Sequence, residues 1–347
     1  MDWFLILIFA GATLFSLFAT FVVRYFALRL GVTDKPDGSR KLHKKPIPLL
    51  GGTAIFAVVA VFVIASLIFG STLTGGLVQS RAYMGFLLGG LILIIGGALD
   101  DRFELPPHLS MIAPVLAALC AVMGGIAINK LSHPLGGFID ISGWISSVLV
   151  FGWLIVMMYT SKLLDGLDGL SGGVSVIGMF VIIALSLTAK YFQPDVSLFA
   201  VICAGAVMGF LFWNMPPAKI FLGEGGSTLV GYMLAILAVI SGGKLAIALL
   251  VMGIPLLDVA WVMIKRWKAQ GIKAIVKGDR RHLHHRLIEH GFSSKKVLLL
   301  YFGVSIVFGG SALFLQTGQK MIAFFLLILL LAGISSLLWI SERKNSI

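Results

Sequence analysis

The chain has 347 residues, 59% apolar and only 12% charged, with a mean hydropathy of +1.02 and a formal net charge of +12 at pH 7. A soluble domain carries roughly 25% charged residues, so half that share, with repeated apolar runs, excludes a soluble globular fold and indicates a polytopic membrane protein. The two cysteines, Cys120 and Cys203, both lie in apolar runs, which argues against a disulfide and against a thiol-based zinc site.

Charge, Gly and Pro punctuate the chain into about eleven apolar segments. They are read as transmembrane helices of an all-α fold, because only helices satisfy every backbone group in lipid without a closed barrel. The first, 3–23, has neither a basic n-region nor a small-residue cleavage site, and reads as a retained span rather than a signal peptide. The others fall at 50–71, 82–99, 109–129, 143–160, 171–189, 196–213, 227–241, 244–264, 297–315 and 320–340. The chain is expected to be one integral membrane domain over 1–347. Its site would be built by the loops at about 24–49, 100–108, 161–170, 214–226 and 265–296. Eleven crossings put these loops and the C-terminal tail on one side, with 22 of the 27 Lys and Arg. The positive-inside rule makes that side cytoplasmic, with the N-terminus outside and the C-terminus inside. Basic charge gathered in loops beside lipid also argues against nucleic acid as the partner.

The polar motifs lie in those loops. DKPDGSRKLHKKPIPLLGG, at 34–52, is a basic, Pro-rich entry to the second segment. GGALDDRFELPP, at 96–107, ends the third segment on Asp100 and Asp101. Adjacent carboxyls repel, which raises one pKa unless a cation neutralises them, so the pair suits a metal site or a general base. Two solvated acids at a helix end are the ordinary alternative, although a helix C-terminus disfavours acids. In KLLDGLDGLSGG, at 162–173, Asp165 and Asp168 share a face if the segment is helical, and the interleaved glycines let backbone approach a ligand. NMPPAKIFLGEGGS, at 214–227, sets Glu224 in a Gly-rich turn before a helix, either as a capping acid or beside an anion cradle with a bridging hard cation. GDRRHLHHRLIEHG, at 278–291, is an Arg/His cluster suited to a polyanionic phosphate or to anionic lipid. Acids for a divalent cation and bases for phosphate, on one membrane face, imply phosphoryl chemistry between a lipid-borne and a soluble substrate. A transporter would instead place ionisable groups at mid-membrane, where Asp258 is the only clear acid.

LDDR, DGLDGL, PAKIFLG-x-GGS and HLHHRL occur in that order over roughly residues 30–300. Together they resemble the polyprenyl-phosphate N-acetylhexosamine-1-phosphate transferase family, which initiates O-antigen and wall teichoic acid synthesis and includes phospho-MurNAc-pentapeptide transferase. HLHHRL looks like the branch using UDP-N-acetylhexosamines. The resemblance implies a multi-pass enzyme of the bacterial plasma membrane with its site facing the cytoplasm. It would transfer GlcNAc-1-phosphate, or a related HexNAc-1-phosphate, from the UDP-sugar to undecaprenyl phosphate. UMP would leave, a cell-envelope glycopolymer would be begun, and Mg²⁺ or Mn²⁺ would serve as cofactor. Relatives commonly dimerise, so a homodimer is among the implied partners.

Carried over by position, Asp100, Asp101, Asp165 and Asp168 form the catalytic set, with one of the first pair as the base that keeps the lipid phosphate deprotonated or positions it. Lys41, His43, Lys45, Lys162, Lys219, His282, His284, His285 and Arg286 form the substrate-binding set. Asp168 and Glu224 are the metal candidates. Three positions depart from the family pattern: Lys162 replaces a usual Asn, Glu224 a usual Asp, and Leu49 a frequent Arg. In relatives, positions 162 and 224 help hold Mg²⁺. The departures leave three readings: Lys162 pairs with Glu224 and takes part of the metal's role, the metal sits in altered geometry, or the chain is a non-catalytic lipid- or nucleotide-binding paralogue. Direct attack and a covalent aspartyl-phosphate route both fit the motifs.

Overall fold

The computed structural model describes residues 2–34, 46–76, 78–132, 137–141, 143–242, 245–270 and 282–345. Helix α1 (Asp2–Arg29) leads into a short antiparallel ribbon, β1 (Thr33–Asp34) with β2 (Ile47–Pro48), and then α2 (Gly51–Phe69) and α3 (Ser80–Phe103). A short α4 (Pro107–Ser110) and α5 (Ile112–Met123) precede a second ribbon, β3 (Lys130–Ser132) with β4 (Phe138–Asp140). Then come α6 (Gly143–Leu164), α7 (Leu170–Ser186), α8 (Pro194–Asn214), α9 (Gly223–Ile240), α10 (Leu245–Val251), α11 (Gly253–Gln270), α12 (Leu283–Glu289), α13 (Ser294–Ser311) and α14 (Thr317–Asn345).

The fold is all-α and polytopic, and all eleven apolar segments contain helix. Seven of the described helices (α1, α2, α3, α6, α8, α9 and α14) are long and apolar enough to cross a membrane, or eight crossings if α10 and α11 form one span bent by 78°. The segment expected at 109–129 is shorter than its apolar run: α5 stops at Met123, and Gly125, at φ 88°, turns the chain toward β3. The segment expected at 244–264 is broken where Pro255 enters. Proline has no N–H to bond the carbonyl four residues back. That carbonyl, on Val251, instead accepts the Ser305 hydroxyl at 2.9 Å, so the break leaves no orphan.

Helices α8 and α9 form the centre, buried along almost their whole length, with α1, α2, α3, α6 and α7 packed around them. Phe86 of α3 meets Phe199 of α8 edge-on at 4.9 Å and stacks on Tyr232 of α9 at 5.6 Å, joining the three helices by one aromatic column. The outer helices show the reverse of a soluble surface: Trp3, Phe69 and Phe314 are among many large apolar side chains turned outward. Burial of small residues inside and apolar residues outside is what lipid requires.

Candidate active site

The site begins with glycine contacts that carry no side chain. Where α9 starts, it lies between the start of α2 and the end of α3. A Cβ on Gly52 would overlap the Gly226 backbone, and one on Gly97 would overlap the Gly225 backbone. Backbone hydrogen bonds fasten the same place: Gly51 and Gly52 donate to Phe221 and Leu222 at 3.0 and 2.9 Å, and Phe221 donates to Pro48 at 2.9 Å. Glu224, in the first turn of α9, is thereby set against the acids ending α3. Its N–H donates to Asp101 Oδ1 at 3.0 Å. Asp100 accepts the Leu105 N–H at 2.8 Å, and the Ser110 hydroxyl lies 3.3 Å from both Asp100 Oδ2 and Glu224 Oε1. Leu50, beside this seat, holds a left-handed conformation at φ 74°, an uncommon state for a non-glycine residue.

Lys162, in the last turn of α6, reaches across to α9. Its Nζ forms an ion pair with Glu224 Oε1, and the side chains are 29% and 17% exposed. Beyond it, the DGLDG turn links α6 to α7. Gly169, at φ 76°, donates its N–H to Asn214 Oδ1 at 2.9 Å, and Asn214 Nδ2 donates to the Ile220 carbonyl at 2.9 Å. Asp168 Oδ2 accepts the Ala218 N–H at 2.9 Å. The turn of paired acids and the 214–222 loop are thus one stitched unit.

The histidines approach from the other flank. A Cβ on Gly166 would lie 2.5 Å from His284 Nε2 and 3.1 Å from His285 Nε2, so a side chain there would push these rings back from the turn. Helix α12 is held there by Asp258 of α11. One carboxyl oxygen of Asp258 lies 2.9 Å from His282 Nδ1, and the other accepts the Leu283 N–H at 3.0 Å. The His282 and His284 rings stack at 5.9 Å, and His284 meets His285 at 4.2 Å. His282 Nε2 and both ring nitrogens of His284 are buried with no partner among the described groups.

Electrostatics follow from this crowding. Burial, then the carboxyls of Asp168, Asp101 and Glu224, push Asp165 well above the usual carboxylate range. Burial, then His285 and His282, hold His284 well below the usual imidazole value. The resemblance implies Mg²⁺ or Mn²⁺ held by these acids. Among the described residues no three His, Cys, Asp or Glu side chains converge on one ion. Glu224 has an ammonium on it, and Asp168 binds a backbone N–H. A divalent ion between positions 162 and 224 does not fit these residues.

Of the expected site residues, Asp100, Asp101, Lys162 and Glu224 lie in one connected patch, and Asp165, Asp168, His284 and His285 gather about the adjoining turn, with His282 and Arg286 on the same short helix. Lys219 follows Ala218, whose N–H meets Asp168, on the loop stitched to the turn; its Nζ lies over the Trp213 ring at 5.4 Å and its carbonyl accepts Arg24 Nε at 3.1 Å. Lys41, His43 and Lys45 lie outside the described residues. Ser110 carries no local signal in the sequence, and Asn214 opens the 214–227 motif without its partner at Gly169 being readable there. Asp258 was visible as a lone intramembrane acid, but its partner 24 residues later was not.

The family model for glycosyl transferase family 4 matches residues 83–242. The chain is 30% identical over 335 residues to a probable undecaprenyl-phosphate N-acetylglucosaminyl 1-phosphate transferase of Bacillus subtilis (strain 168), covering 94% of this chain and 89% of the relative. It is 31% identical over 365 residues to the decaprenyl-phosphate N-acetylglucosaminephosphotransferase of Mycobacterium tuberculosis (strain ATCC 25618 / H37Rv), covering 96% and 88%. An undecaprenyl-phosphate alpha-N-acetylglucosaminyl 1-phosphate transferase of Escherichia coli (strain K12) is 30% identical over 314 residues, covering 85% and 78%.

Proposed function

From its membership of glycosyl transferase family 4, to which the chain belongs, we propose that it is a polyprenyl-phosphate GlcNAc-1-phosphate transferase of a bacterial plasma membrane. The acceptor is undecaprenyl phosphate, the donor is UDP-GlcNAc or a related UDP-HexNAc, and the product begins a cell-envelope glycopolymer. The chain crosses the membrane eleven times, with the site on the cytoplasmic face. The 22 basic residues counted on that face support this topology.

In the reaction, an oxygen of the lipid phosphate attacks the β-phosphorus of the UDP-sugar. A P–O bond forms there, and the bond from that phosphorus to the oxygen bridging to the α-phosphorus breaks. UMP leaves with the bonding electron pair, and the lipid carries a diphosphate-linked sugar. Asp100 and Asp101 orient the attacking lipid phosphate and keep it deprotonated. The DGLDG turn organises the nucleotide, and His282, His284, His285 and Arg286 receive the sugar nucleotide. Much of the rate comes from holding the two phosphates in line.

The observation that carries this reading is the meeting at Gly166. The turn bearing Asp165 and Asp168 and the helix bearing His284 and His285 touch where a side chain on Gly166 would displace the rings, 118 residues apart in the chain. The test is UMP release by the purified protein given UDP-GlcNAc and undecaprenyl phosphate. UMP that appears only with both substrates is the expected result. Folded protein that binds UDP-GlcNAc yet releases no UMP would refute the reaction.

A further inference from the structure

We infer that Lys162 is the resident cation of this site: its ammonium, held by Glu224, stands where a divalent ion would stand beside that carboxylate and neutralises the donor diphosphate. The inference rests on the transferase reading and concerns what supplies the positive charge there.

Three observations converge on it. First, the ammonium is placed, not merely nearby. Lys162 extends from the last turn of α6 and ion-pairs with Glu224 Oε1, while Asp101 accepts the Glu224 N–H and the Ser110 hydroxyl lies between Glu224 and Asp100. Second, the pair is not needed to join the two helices. α6 and α9 are already packed backbone to side chain, since a Cβ on Gly231 would lie 2.5 Å from the Met157 carbonyl and 2.7 Å from Ser161 Cβ. Third, the Gly52–Gly226 and Gly97–Gly225 contacts fix where α9 begins. From a fixed Cα, the length of Glu224 carries its carboxylate to the ammonium, and an aspartate would stop one methylene short.

The physical consequence is exclusion. A doubly charged ion entering beside Glu224 meets a unit positive charge at contact distance, in a partly desolvated place where screening is weak. It also has to displace the ammonium from its carboxylate. The same ammonium has its remaining hydrogens to give, because a lysine carries three donors. Directed to the phosphoryl oxygens of the donor, it stabilises charge that builds on the leaving UMP.

The experiment pairs metal binding with turnover. Mn²⁺ is titrated by EPR into the detergent-solubilised native chain and the Lys162→Asn/Glu224→Asp double variant, each with and without UDP-GlcNAc. UMP release is measured in parallel with EDTA and with Mg²⁺. The native chain is expected to leave Mn²⁺ free and to release UMP equally in EDTA. The double variant is expected to bind one Mn²⁺ at least ~100-fold more tightly than the native chain and to become EDTA-sensitive. Lys162→Arg should keep EDTA-insensitive turnover, whereas Lys162→Met should lose it while eluting as folded protein, a split that a helix tie would not produce. A native chain that binds Mn²⁺ tightly, or whose UMP release stops in EDTA and returns with Mg²⁺, overturns the inference and leaves the transferase reading intact. If no UMP appears under any condition, the transferase reading fails, and the native Mn²⁺ titration still decides whether the ammonium excludes the metal.

Discussion

Replacing Asp258 with alanine removes two hydrogen bonds at once. The carboxyl lies 2.9 Å from His282 Nδ1 and accepts the Leu283 N–H at 3.0 Å, and Asp258 and His282 are only 7% and 4% exposed. A buried bond to a carboxylate contributes about 1.5–3 kcal/mol net, so the pair amounts to about 3–6 kcal/mol before any relaxation. The loss falls mainly on α12, a helix of seven residues that starts at these two bonds. Tenfold in affinity is about 1.4 kcal/mol, so even half of that loss, expressed as displacement of His284 and His285 from the turn, raises KM for UDP-GlcNAc by ~10–100-fold. Asp258→Asn keeps an acceptor for the Leu283 N–H and should fall between. The assay is steady-state UMP release together with hydrogen exchange over 282–290. The expected signature is a raised KM, faster exchange in α12 and unchanged exchange in α9. Native-like KM and unaltered α12 protection in Asp258→Ala would refute the assignment of Asp258 as the residue that positions this helix.

Gly166→Ala places a methyl 2.5 Å from His284 Nε2, so it should lower kcat/KM at least tenfold while the melting temperature changes little; an active Ala variant would show that the rings need not approach the turn. Two titrations should appear in stability against pH. His284 is held neutral, so below about pH 6.5 the unfolded chain takes up a proton that the folded chain refuses, and stability falls as pH falls. His284→Gln should flatten that limb of the melting-temperature profile. Asp165 has the opposite sign: its raised pKa favours the folded state at low pH, and that contribution is lost as pH rises from about 4, where the unfolded carboxyl ionises. Asp165→Asn should therefore gain stability over the native chain at pH 8 but not at pH 4. For the topology, cysteines at Lys130 and Glu289 should divide under a membrane-impermeant maleimide, the first labelled from outside intact cells and the second only after lysis; the same response from both would break the eleven-crossing arrangement.

Much of the architecture was legible because lipid leaves so few options. Runs of apolar residues between Gly, Pro and charge had to be helices, and each contains one. What escaped was where a run stops being regular. Gly125 ends one early, and Pro255 breaks another at an angle that no periodicity encodes. The acids, the histidines and the lysine were legible as motifs, because polar residues are costly in such a chain and stand out against it. Their grouping was only partly so. The departures at 162 and 224 left pairing as one of three readings, and the structure shows the pair; the Trp213 ring over which Lys219 Nζ lies was not readable from the PAKIFLG motif. Ser110 and Asn214 act through single hydroxyl and amide groups whose partners lie far away in sequence, and that information exists only in the packed state.

The glycine seat of α9 has a consequence for grafting. Because backbone rests on backbone at Gly52–Gly226 and Gly97–Gly225, α9 has no slack to slide or tilt when the residue at 224 changes. Any difference in side-chain reach must be met from the opposite helix, by whatever stands at 162. A graft that moves α9 alone strands a lysine in front of a carboxylate that is too short, and one that moves α6 alone strands the longer acid. The smallest piece of this protein that can be transplanted with its chemistry intact is therefore the α6–α9 couple together with the two helices that seat it, not either signature by itself.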